Sequence, residues 1–408
     1  MTYAKMRENL YGPIRSVFSW DWLEGEEYGL AGMHQISRDM RSELSLATAE
    51  LGKIFARVTG KVQHGPDGLL RELGIPEEAL AAVRIPVFED TVTTIGRFDF
   101  AQTPTGPKML EFNSDTPTSV VEAFFVNQKA CDFFGVSNPN AGMETQIERA
   151  FQDTLARYRD LGYKTDKIVF SALGWHDEDR GTARFLLEKS GLEARFAPLE
   201  DLRVKNDRLW VVANDSMEPA DVLYRLHALE KLADDRDDDG YPTGKHVLDL
   251  IARKKLAIIN PPSAFVAQTK ALQALVWGLH EAGEFFTPGE HELIERYMLP
   301  TYLENRFSGR SAYVVKPIFG REGGAVSLYA ADDSVIEQDK DRFYWDQPMV
   351  YQQLVEMEQV TSETVSGPYQ GRLLWGSFLV GGQASAICAR IGGRITGNLS
   401  CYLPAAFG

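Results

Sequence analysis

Residues 96–118 have the sequence GRFDFAQTPTGPKMLEFNSDTPT, and this stretch decides the fold. The segments 92–100 and 108–112 are rich in β-branched and aromatic residues, which favour strands. Pro-Thr-Gly-Pro at positions 104–107 lies between them, a composition typical of a turn. The stretch therefore predicts an antiparallel β-hairpin, which we expect at the surface.

The register of this hairpin determines which polar side chains share a face. If Asp99 lies opposite Glu111, then Arg97 lies opposite Asn113 and the turn is centred on Thr105. Because side chains alternate between the two faces of a strand, all four then lie on the same side of the sheet. A slip by one residue would separate them.

Two carboxylates and an amide oxygen on one face are suited to Mg²⁺. This ion usually takes one or two carboxylates and completes its coordination with water and phosphate oxygens. Arg97 beside them has the planar guanidinium that binds a carboxylate or a phosphate. The alternative is a half-exposed hairpin whose outer face carries ordinary surface charges.

Composition limits the classes of partner. The 408 residues are enough for two or three domain-sized units, and 43 Lys and Arg against 58 Asp and Glu give a net charge of −15. Such a charge repels nucleic acid and anionic membranes, so we expect neither as a partner. With no apolar leader or bilayer-length segment, and three cysteines without pair or metal-ligand spacing, the sequence predicts a cytoplasmic protein.

The rest of the chain predicts an α/β (α+β) fold. Residues up to about 85 are predicted to be helical, with an amphipathic stretch at 43–58. From residue 167 short apolar runs alternate with helical patterns, which indicates a parallel sheet covered by helices. The predicted strands of this part are 168–173, 194–197, 209–213, 221–224 and 256–260.

A lysine and a glycine-rich loop indicate nucleotide binding. Lys316 ends a predicted strand and is followed by Gly320, Gly323 and Gly324, whose free N–H groups suit phosphate oxygens. This is neither a P-loop nor a dinucleotide motif, and a glycine-rich hairpin without a ligand is the alternative. The apolar segment 349–355 is either an inter-domain hinge that binds an adenine edge or one more core strand.

Four motifs in this order resemble those of a known family. They are Arg-Phe-Asp at 97–99, Glu-Phe-Asn-Ser-Asp-Thr-Pro-Thr at 111–118, Val-Lys-Pro-Ile-Phe-Gly-Arg at 315–321 and Val-Tyr-Gln-Gln-Leu at 350–354. Together they resemble the synthetase domain of glutathionylspermidine synthase and its short, monofunctional bacterial relatives. The resemblance extends from about residue 96 to residue 390.

The resemblance implies an ATP-grasp-type synthetase with a doubly wound parallel-sheet subdomain and an antiparallel ATP-lid subdomain. The expected segments are a helical part (1–90), a metal- and substrate-binding hairpin region (91–160), a parallel α/β subdomain (161–262), the ATP lid (263–348) and the C-terminal part of the ATP-grasp core (349–408).

Site residues follow from the same resemblance, position by position. Mg²⁺ would be held by Asp99, Glu111 and Asn113, in agreement with the hairpin argument. Arg97 would contact the acceptor carboxylate and Arg390 would stabilise the transition state, as the catalytic residues. The implied ATP-binding residues are Lys270, Lys316, Gly320, Arg321, Gln352, Gln353 and Leu354. The implied substrate-binding residues are Arg97, Thr116, Thr118, Glu178 and Asp179.

Two positions depart from the family pattern. Asp179 stands where the bifunctional enzymes have a second glutamate that holds glutathione, and Leu226 stands where they have a threonine. Use of glutathione is therefore left open. An acid-rich helix start is the alternative for residues 178–180.

The implied activity is an ATP- and Mg²⁺-dependent carboxylate–amine ligase that forms an amide through an acyl phosphate. Its substrates would be a small-molecule amine and a peptide-like carboxylate. Two alternatives stay open: a small-molecule kinase that stops at phosphoryl transfer, and an ATP-binding regulatory or scaffold protein without catalysis. The oligomeric state is also open, with a homodimer as one option.

Overall fold

The structure is a computed structural model that describes residues 1–213, 216–237, 239–340, 343–397 and 399–408. Within these residues the α-helices are α1 (Tyr3–Tyr11), α2 (Arg38–Gln63), α3 (Asp67–Glu72), α4 (Leu80–Val83), α5 (Asn127–Phe134), α6 (Thr145–Asp160), α7 (Asp177–Lys189), α8 (Leu229–Asp234), α9 (Thr243–Ala252), α10 (Pro262–Gln268), α11 (Lys270–Ala282) and α12 (Pro288–Tyr297).

The strands are short in the N-terminal part and longest near the C-terminus. They are β1 (Trp22–Leu23), β2 (Glu26–Glu27), β3 (His34–Ile36), β4 (Ile95–Thr103), β5 (Gly106–Asn113), β6 (Ile168–Ala172), β7 (Ala194–Pro198), β8 (Leu202–Lys205), β9 (Arg208–Ala213), β10 (Ser216–Ala220), β11 (Val222–Leu226), β12 (Ala257–Ile259), β13 (Thr301–Tyr302), β14 (Tyr313–Pro317), β15 (Ser327–Tyr329), β16 (Val335–Gln338), β17 (Met349–Gln353), β18 (Gln359–Thr364), β19 (Gly367–Val380), β20 (Gln383–Gly392), β21 (Cys401–Leu403) and β22 (Ala405–Phe407).

The central sheet is antiparallel and has the order β21-β20-β19-β4-β5, with β18 paired to β19. Helix α2 packs on it, and Phe55 of α2 meets Phe98 and Phe112 edge-on. Because β4 lies between two strands under this helix, its residues are buried nearly throughout. The expectation of a surface hairpin is therefore wrong for β4, whereas β5 at the edge of the sheet alternates buried and half-buried residues.

The hairpin of β4 and β5 has the predicted register at its functional end. Arg97 lies opposite Asn113, and Asp99 lies opposite Glu111. A β-bulge then shifts the register by one residue, and the turn pairs Thr103 with Gly106, whose φ is 104°. The predicted turn centre at Thr105 is thus wrong by half a residue, because the bulge takes up one residue of β5.

The second sheet is parallel throughout, with the order β12-β11-β6-β7. Strands β6 and β11 are buried along their whole length, as expected for parallel strands covered on both faces. The predicted strand at 209–213 exists as β9, but it pairs antiparallel with β8 and β10 in a separate sheet. The short turn between β8 and β9 makes a local hairpin, so the strand does not join the parallel sheet.

The third sheet, called the lid sheet here, is antiparallel and has the order β13-β17-β14-β15-β16. The flap, defined as residues 318–326, connects β14 to β15. After β17 the chain leaves the lid sheet, and the N–H of Glu358 donates to the carbonyl of Gln102 on β4, at 3.1 Å. Residues 349–353 of the segment 349–355 therefore form β17 of the lid sheet, and the residues after β17 lead to the central sheet.

The N-terminal part is less helical than predicted. Strands β1, β2 and β3 lie within residues 22–36, and β3 pairs in parallel with β22 at the other end of the chain. Such a pairing depends on residues almost 370 positions away, which local periodicity does not contain. The predicted α/β class, with a parallel sheet and an antiparallel lid, is confirmed. In the described parts of the chain, every helix is too short or too polar to cross a bilayer.

Candidate active site

A cavity of about 450 Å³ lies between the central sheet, the lid sheet and the carboxyl end of β6. Its lining includes all the site residues expected from the sequence. These are Arg97, Asp99, Glu111, Asn113, Thr116, Thr118, Glu178, Asp179, Lys270, Lys316, Gly320, Arg321, Gln352, Gln353, Leu354 and Arg390. The fold thus brings together residues from six separate parts of the chain.

Asp99 holds two arginines at the floor of the cavity. It is 1% exposed and accepts hydrogen bonds from Arg97 Nε at 2.6 Å, Arg97 Nη2 at 3.0 Å and Arg390 Nη2 at 2.9 Å. Gly376 of β19 lies opposite Asp99, and a Cβ there would come within 2.7 Å of the Arg97 side chain. The glycine therefore leaves room for the guanidinium, which also donates to the carbonyl of Thr118 at 2.6 Å.

Glu111 and Asn113 extend this network towards the lid. Asn113 Nδ2 lies 3.3 Å from Glu111 Oε1 and 3.4 Å from Asp99 Oδ2, so the three side chains converge. Glu111 Oε2 pairs with Lys270 Nζ at 3.1 Å. Burial acts to raise the pKa of Glu111, but Lys270 and Lys316 outweigh it and lower that pKa to about 2. Glu111 is therefore a carboxylate at neutral pH.

This donor set suits a magnesium ion that takes some of its ligands from the protein and the others from a bound phosphate. Asp99 and Glu111 supply carboxylate oxygens and Asn113 an amide oxygen, the hard donors that Mg²⁺ takes. Among the described residues, no group of three or more His, Cys, Asp or Glu side chains could hold a metal ion by itself, and this applies to the cavity as well. The ion would therefore depend on ligands from a bound phosphate or water.

Two lysines face the same carboxylate from the lid side. Lys316 Nζ donates to Gln352 Oε1 at 2.6 Å and to the carbonyl of Leu110 at 3.3 Å. Burial lowers the pKa of Lys316 to about 8, against the raising effect of Glu111. Lys270 Nζ donates to the carbonyl of Gly320 in the flap at 3.0 Å. A phosphate entering this corner would meet two ammonium groups in a largely buried setting.

The flap contacts the loop after β5. Arg321 donates from Nη1 to Thr116 Oγ1 at 2.8 Å, and its Nε pairs with Glu230 of α8 at 3.2 Å. Burial acts to lower the pKa of Arg321, yet Glu230 and Asp115 raise it, so the guanidinium stays charged. Arg321 thus joins the flap to the predicted substrate-binding loop.

Two residues at the carboxyl ends of β11 and β12 hold that loop in place. Arg225 of β11 donates to Asp115 Oδ1 at 2.6 Å and to Oδ2 at 3.0 Å, and both side chains are completely buried. Asn260 donates to the carbonyls of Ser114 and Asp115 at 3.2 and 2.7 Å. The positions of Thr116 and Thr118 therefore depend on the parallel sheet, although the hairpin belongs to the central sheet.

The far end of the cavity is acidic. Glu178 and Asp179 lie in the first turn of α7, and Asp179 lies 3.5 Å from His176 Nδ1. Burial, then Glu122 and Asp179, raise the pKa of Glu178 to about 8. Leu226, the second departure from the family pattern, is buried at the end of β11 and does not line the cavity.

Several lining residues were not expected from the sequence. They are Tyr28, Trp175, His176, Lys231, Glu322, Arg372, Arg394 and Thr396, among others. Trp175 and His176 directly follow β6, and the carboxyl ends of parallel strands are where α/β proteins bind ligands, so this signal was available. Tyr28 and Arg372 come from distant segments that carry no local signal.

The chain matches a known family over most of its length. The family model described as glutathionylspermidine synthase preATP-grasp matches residues 14–408. Among solved structures, the fold is similar to that of a glutathione synthetase-like effector from Globodera pallida in its apo form. The TM-score is 0.61 at 12% identity, over 99% of this chain and 96% of that chain. This likeness concerns the fold alone.

Three relatives illustrate the range of similar proteins. Over 325 residues the chain is 26% identical to a Haemophilus influenzae protein named “Putative acid--amine ligase”, covering 76% of this chain and 74% of that protein. It is 24% identical over 375 residues to the bifunctional glutathionylspermidine synthetase/amidase of Escherichia coli, covering 84% and 56% respectively. It is 23% identical over 320 residues to the glutathionylspermidine synthase of Crithidia fasciculata, covering 71% and 42%. The chain thus spans about half the length of the last two.

Proposed function

The chain belongs to the glutathionylspermidine synthase preATP-grasp family, and on that premise we propose that it is an ATP-dependent carboxylate–amine ligase. One observation carries the proposal. Asn113 lies within hydrogen-bond distance of both Asp99 and Glu111, and Lys270 pairs with Glu111 beneath the flap. An oxygen-rich corner beside lysines is what binding and transfer of a phosphoryl group require.

In this proposal the nucleotide lies between the flap and β17. Lys270, Lys316, Gly320 and Arg321 would surround its phosphates, and residues 352–354 at the end of β17 would contact the adenine edge. Asp99, Glu111 and Asn113 would hold Mg²⁺, which when bound neutralises charge on the phosphate oxygens. Lys316 and Gln352 are already joined by a hydrogen bond of 2.6 Å, so the phosphate and adenine sides of the site are coupled.

The two catalytic arginines would act on the acceptor carboxylate. The carboxylate would attack the terminal phosphorus of ATP, which gives an acyl phosphate and ADP. Arg97 would orient the attacking oxygens and Arg390 would offset the charge that develops on the transferred group. Both guanidinium groups are fixed by Asp99, so their positions do not depend on the substrate. An amine would then displace phosphate and form the amide.

The substrate class is a small-molecule amine and a peptide-like acid. The names of two relatives contain glutathionylspermidine, a compound that joins a peptide to a polyamine. Thr116 and Thr118 would bind the peptide end, since one contacts Arg321 and the other Arg97. Asp179 and Leu226 differ from the residues of the bifunctional enzymes, so we propose the class and not glutathione itself.

An ADP-release screen tests this proposal. Pools of amines are combined with pools of amino acids and peptides, with ATP and Mg²⁺, and ADP is followed over time. We expect ADP only when an acid and an amine are both supplied, with an amide as product. A stable phosphorylated product without any amine would indicate a kinase instead. ATP binding without turnover in every pool would indicate a protein that has no catalysis.

A further inference from the structure

Glu178 is a buried carboxylate that the proposed function does not yet use chemically. It lines the cavity and is 8% exposed. Across the described ranges, its side-chain oxygens have neither a hydrogen-bond nor an ion-pair partner. An ionised carboxylate in such a place is costly unless a ligand completes it. A ligand group that donates a hydrogen bond or carries a positive charge would therefore stabilise Glu178 at this end of the cavity.

A second carboxylate lies behind Glu178. Glu122 is completely buried, and its Oε1 accepts hydrogen bonds from Trp20 Nε1 and the Tyr28 hydroxyl, both at 2.9 Å. Its Oε2 has no partner in the parts of the chain that the structure describes. Burial raises the pKa of Glu122 despite these two donors. Glu122 and Glu178 are thus neighbouring buried acids, and Arg97 is a nearby cation that acts to lower the pKa of Glu122.

The groups around Glu178 raise the pKa of its carboxyl group, so that it can accept a proton near neutral pH. Glu122 lies behind it, Asp179 and His176 flank it on α7, and Glu322 faces it from the flap. Burial is the largest cause, the three acids act in the same direction, and His176 opposes them. Tyr28 stays protonated, because burial and the neighbouring Glu122 and Glu178 raise the pKa of its hydroxyl well above its usual value.

Amide formation needs a group that accepts a proton. An attacking amine must lose one N–H proton before the amide is complete, and Arg97 and Arg390 near Asp99 cannot take it, since a guanidinium group has no acceptor atom. Asp99 and Glu111 are already held by arginine and lysine partners. A general base works best when its pKa lies near the operating pH. Glu178 meets these conditions of position, burial and freedom from partners.

We propose that Glu178 is the general base of the amide-forming step, a role that rests on the ligase function proposed above. The amine nitrogen forms a bond to the acyl carbon, and one of its protons passes to a carboxylate oxygen of Glu178. The bond between the acyl carbon and the phosphate oxygen breaks, and phosphate leaves with the electron pair. Glu178 then releases its proton to solvent. Glu122 is a positioning residue that keeps Glu178 basic.

The test compares two nucleophiles on the isosteric variant Glu178→Gln. One is the amine identified in the ADP-release screen, which is protonated at neutral pH. The other is hydroxylamine, which is uncharged at neutral pH and converts acyl phosphates to hydroxamates. We expect Glu178→Gln to lower amide formation by about 10²-fold or more, the usual contribution of a general base. We expect hydroxamate formation to change by less than about 5-fold, because activation of the carboxylate does not use Glu178.

The matched control is Asp177→Asn, which removes the same charge from the same helix turn. The Asp177 side chain is 61% exposed and pairs with Arg180 away from the cavity lining. It is expected to leave both products unchanged. A pH series adds a second measure: the ratio of the wild-type rate of amide formation to that of Glu178→Gln should rise with pH up to about 8, because the free-amine fraction rises equally for both proteins and cancels from the ratio.

The outcomes separate the two proposals. If the wild type forms no hydroxamate with any acid, the ligase function fails and the role of Glu178 fails with it. If the wild type forms hydroxamate but Glu178→Gln loses both products equally, the ligase function stands and Glu178 only positions the substrate. Amide formation at the wild-type rate in Glu178→Gln would also overturn the assignment.

Discussion

Two arginine–aspartate pairs in this molecule have the same two hydrogen-bond distances and different surroundings. Arg97 contacts Asp99 at 2.6 and 3.0 Å, and Arg225 contacts Asp115 at 2.6 and 3.0 Å. The side chains of the first pair are 5% and 1% exposed and line the cavity, whereas those of the second are 0% exposed. Distances alone therefore do not distinguish a site pair from a structural pair.

The other partners of each pair make the distinction. Asp99 also binds Arg390 and lies near Asn113, and both of these side chains line the cavity. Asp115 accepts from the backbone of Leu229, and Arg225 donates to the carbonyl of His227, both of which belong to the fold itself. We infer that the first pair mainly affects activity and the second mainly affects stability.

The strongest test of this comparison removes the charge of Asp115. Asp115→Asn leaves Arg225 as a buried cation without its counter-ion, which typically costs about 3–5 kcal/mol. The measurement is the free energy of unfolding from urea titration. Asp249→Asn is the control, because Asp249 pairs with Arg253 at the surface, with side chains 51% and 44% exposed, and such pairs contribute about 0–1 kcal/mol. Equal effects of the two variants would contradict the structural role of the Asp115 pair.

The second test concerns the cavity pair. Asp99→Asn removes a proposed metal ligand and a partner of two arginines, and we expect ADP release to fall by about 10²–10³-fold, equivalent to about 2.7–4 kcal/mol of barrier. Because Asp99 is buried, a smaller loss of about 1–3 kcal/mol in stability is also expected. Activity is therefore measured on protein whose folded fraction is known from circular dichroism.

Asn113→Asp is a useful companion to Asp99→Asn, since it adds a carboxylate to the same cluster without changing its size. It should retain more ADP release than Asp99→Asn, because it keeps three oxygen donors of the type that Mg²⁺ takes. If Asp99→Asn released ADP at the wild-type rate, the Arg97–Asp99 pair would be structural, like the Arg225–Asp115 pair. The assignment of Asp99 as a metal ligand would then be wrong.

The third test uses the pH dependence of stability. The folded-state pKa of Glu178 is about 8, raised above its ordinary value mainly by burial, so the folded protein holds this proton more tightly than the unfolded chain. Stability on its account is greatest at low pH and falls as pH rises from about 5 to about 8. Glu178→Gln removes this dependence. Relative to the wild type, the variant should therefore gain about 3–4 kcal/mol between pH 5 and pH 8.

Asp177→Asn is again the control and should show the wild-type pH dependence. A gain of stability in Glu178→Gln would be the opposite of the effect expected at Asp115, where loss of the carboxylate destabilises the fold. A site that is less stable than its surroundings is a common cost of function. Identical pH curves for the wild type and Glu178→Gln would contradict the burial of an ionisable group at this position.

The comparison also shows what sequence can predict. The register of Asp99 against Glu111 follows from alternation within one hairpin and is confirmed. The bulge beside it is not contained in that alternation and was missed. Arg225 and Asp115 are 110 residues apart, and Glu122 is 102 residues from Trp20, so neither contact has a local signal. Motifs identify the groups that touch a ligand, whereas the groups that position them emerge only from the fold.

The smallest expected effect concerns Lys316, which tests whether the cations of the cavity can change state. Its pKa is about 8 because burial outweighs the attraction of Glu111, so it carries its charge below that pH and loses it above. As pH rises past about 8, its attraction for phosphate weakens, and the KM for ATP should rise several-fold, with kcat less affected. Lys316→Arg stays charged over this range and should show a flat KM. A flat profile in the wild type, or the same rise in Lys316→Arg, would show that Lys316 does not contact the nucleotide. Lys316 would then have a mainly structural role, as the Arg225–Asp115 pair does, although it lines the cavity.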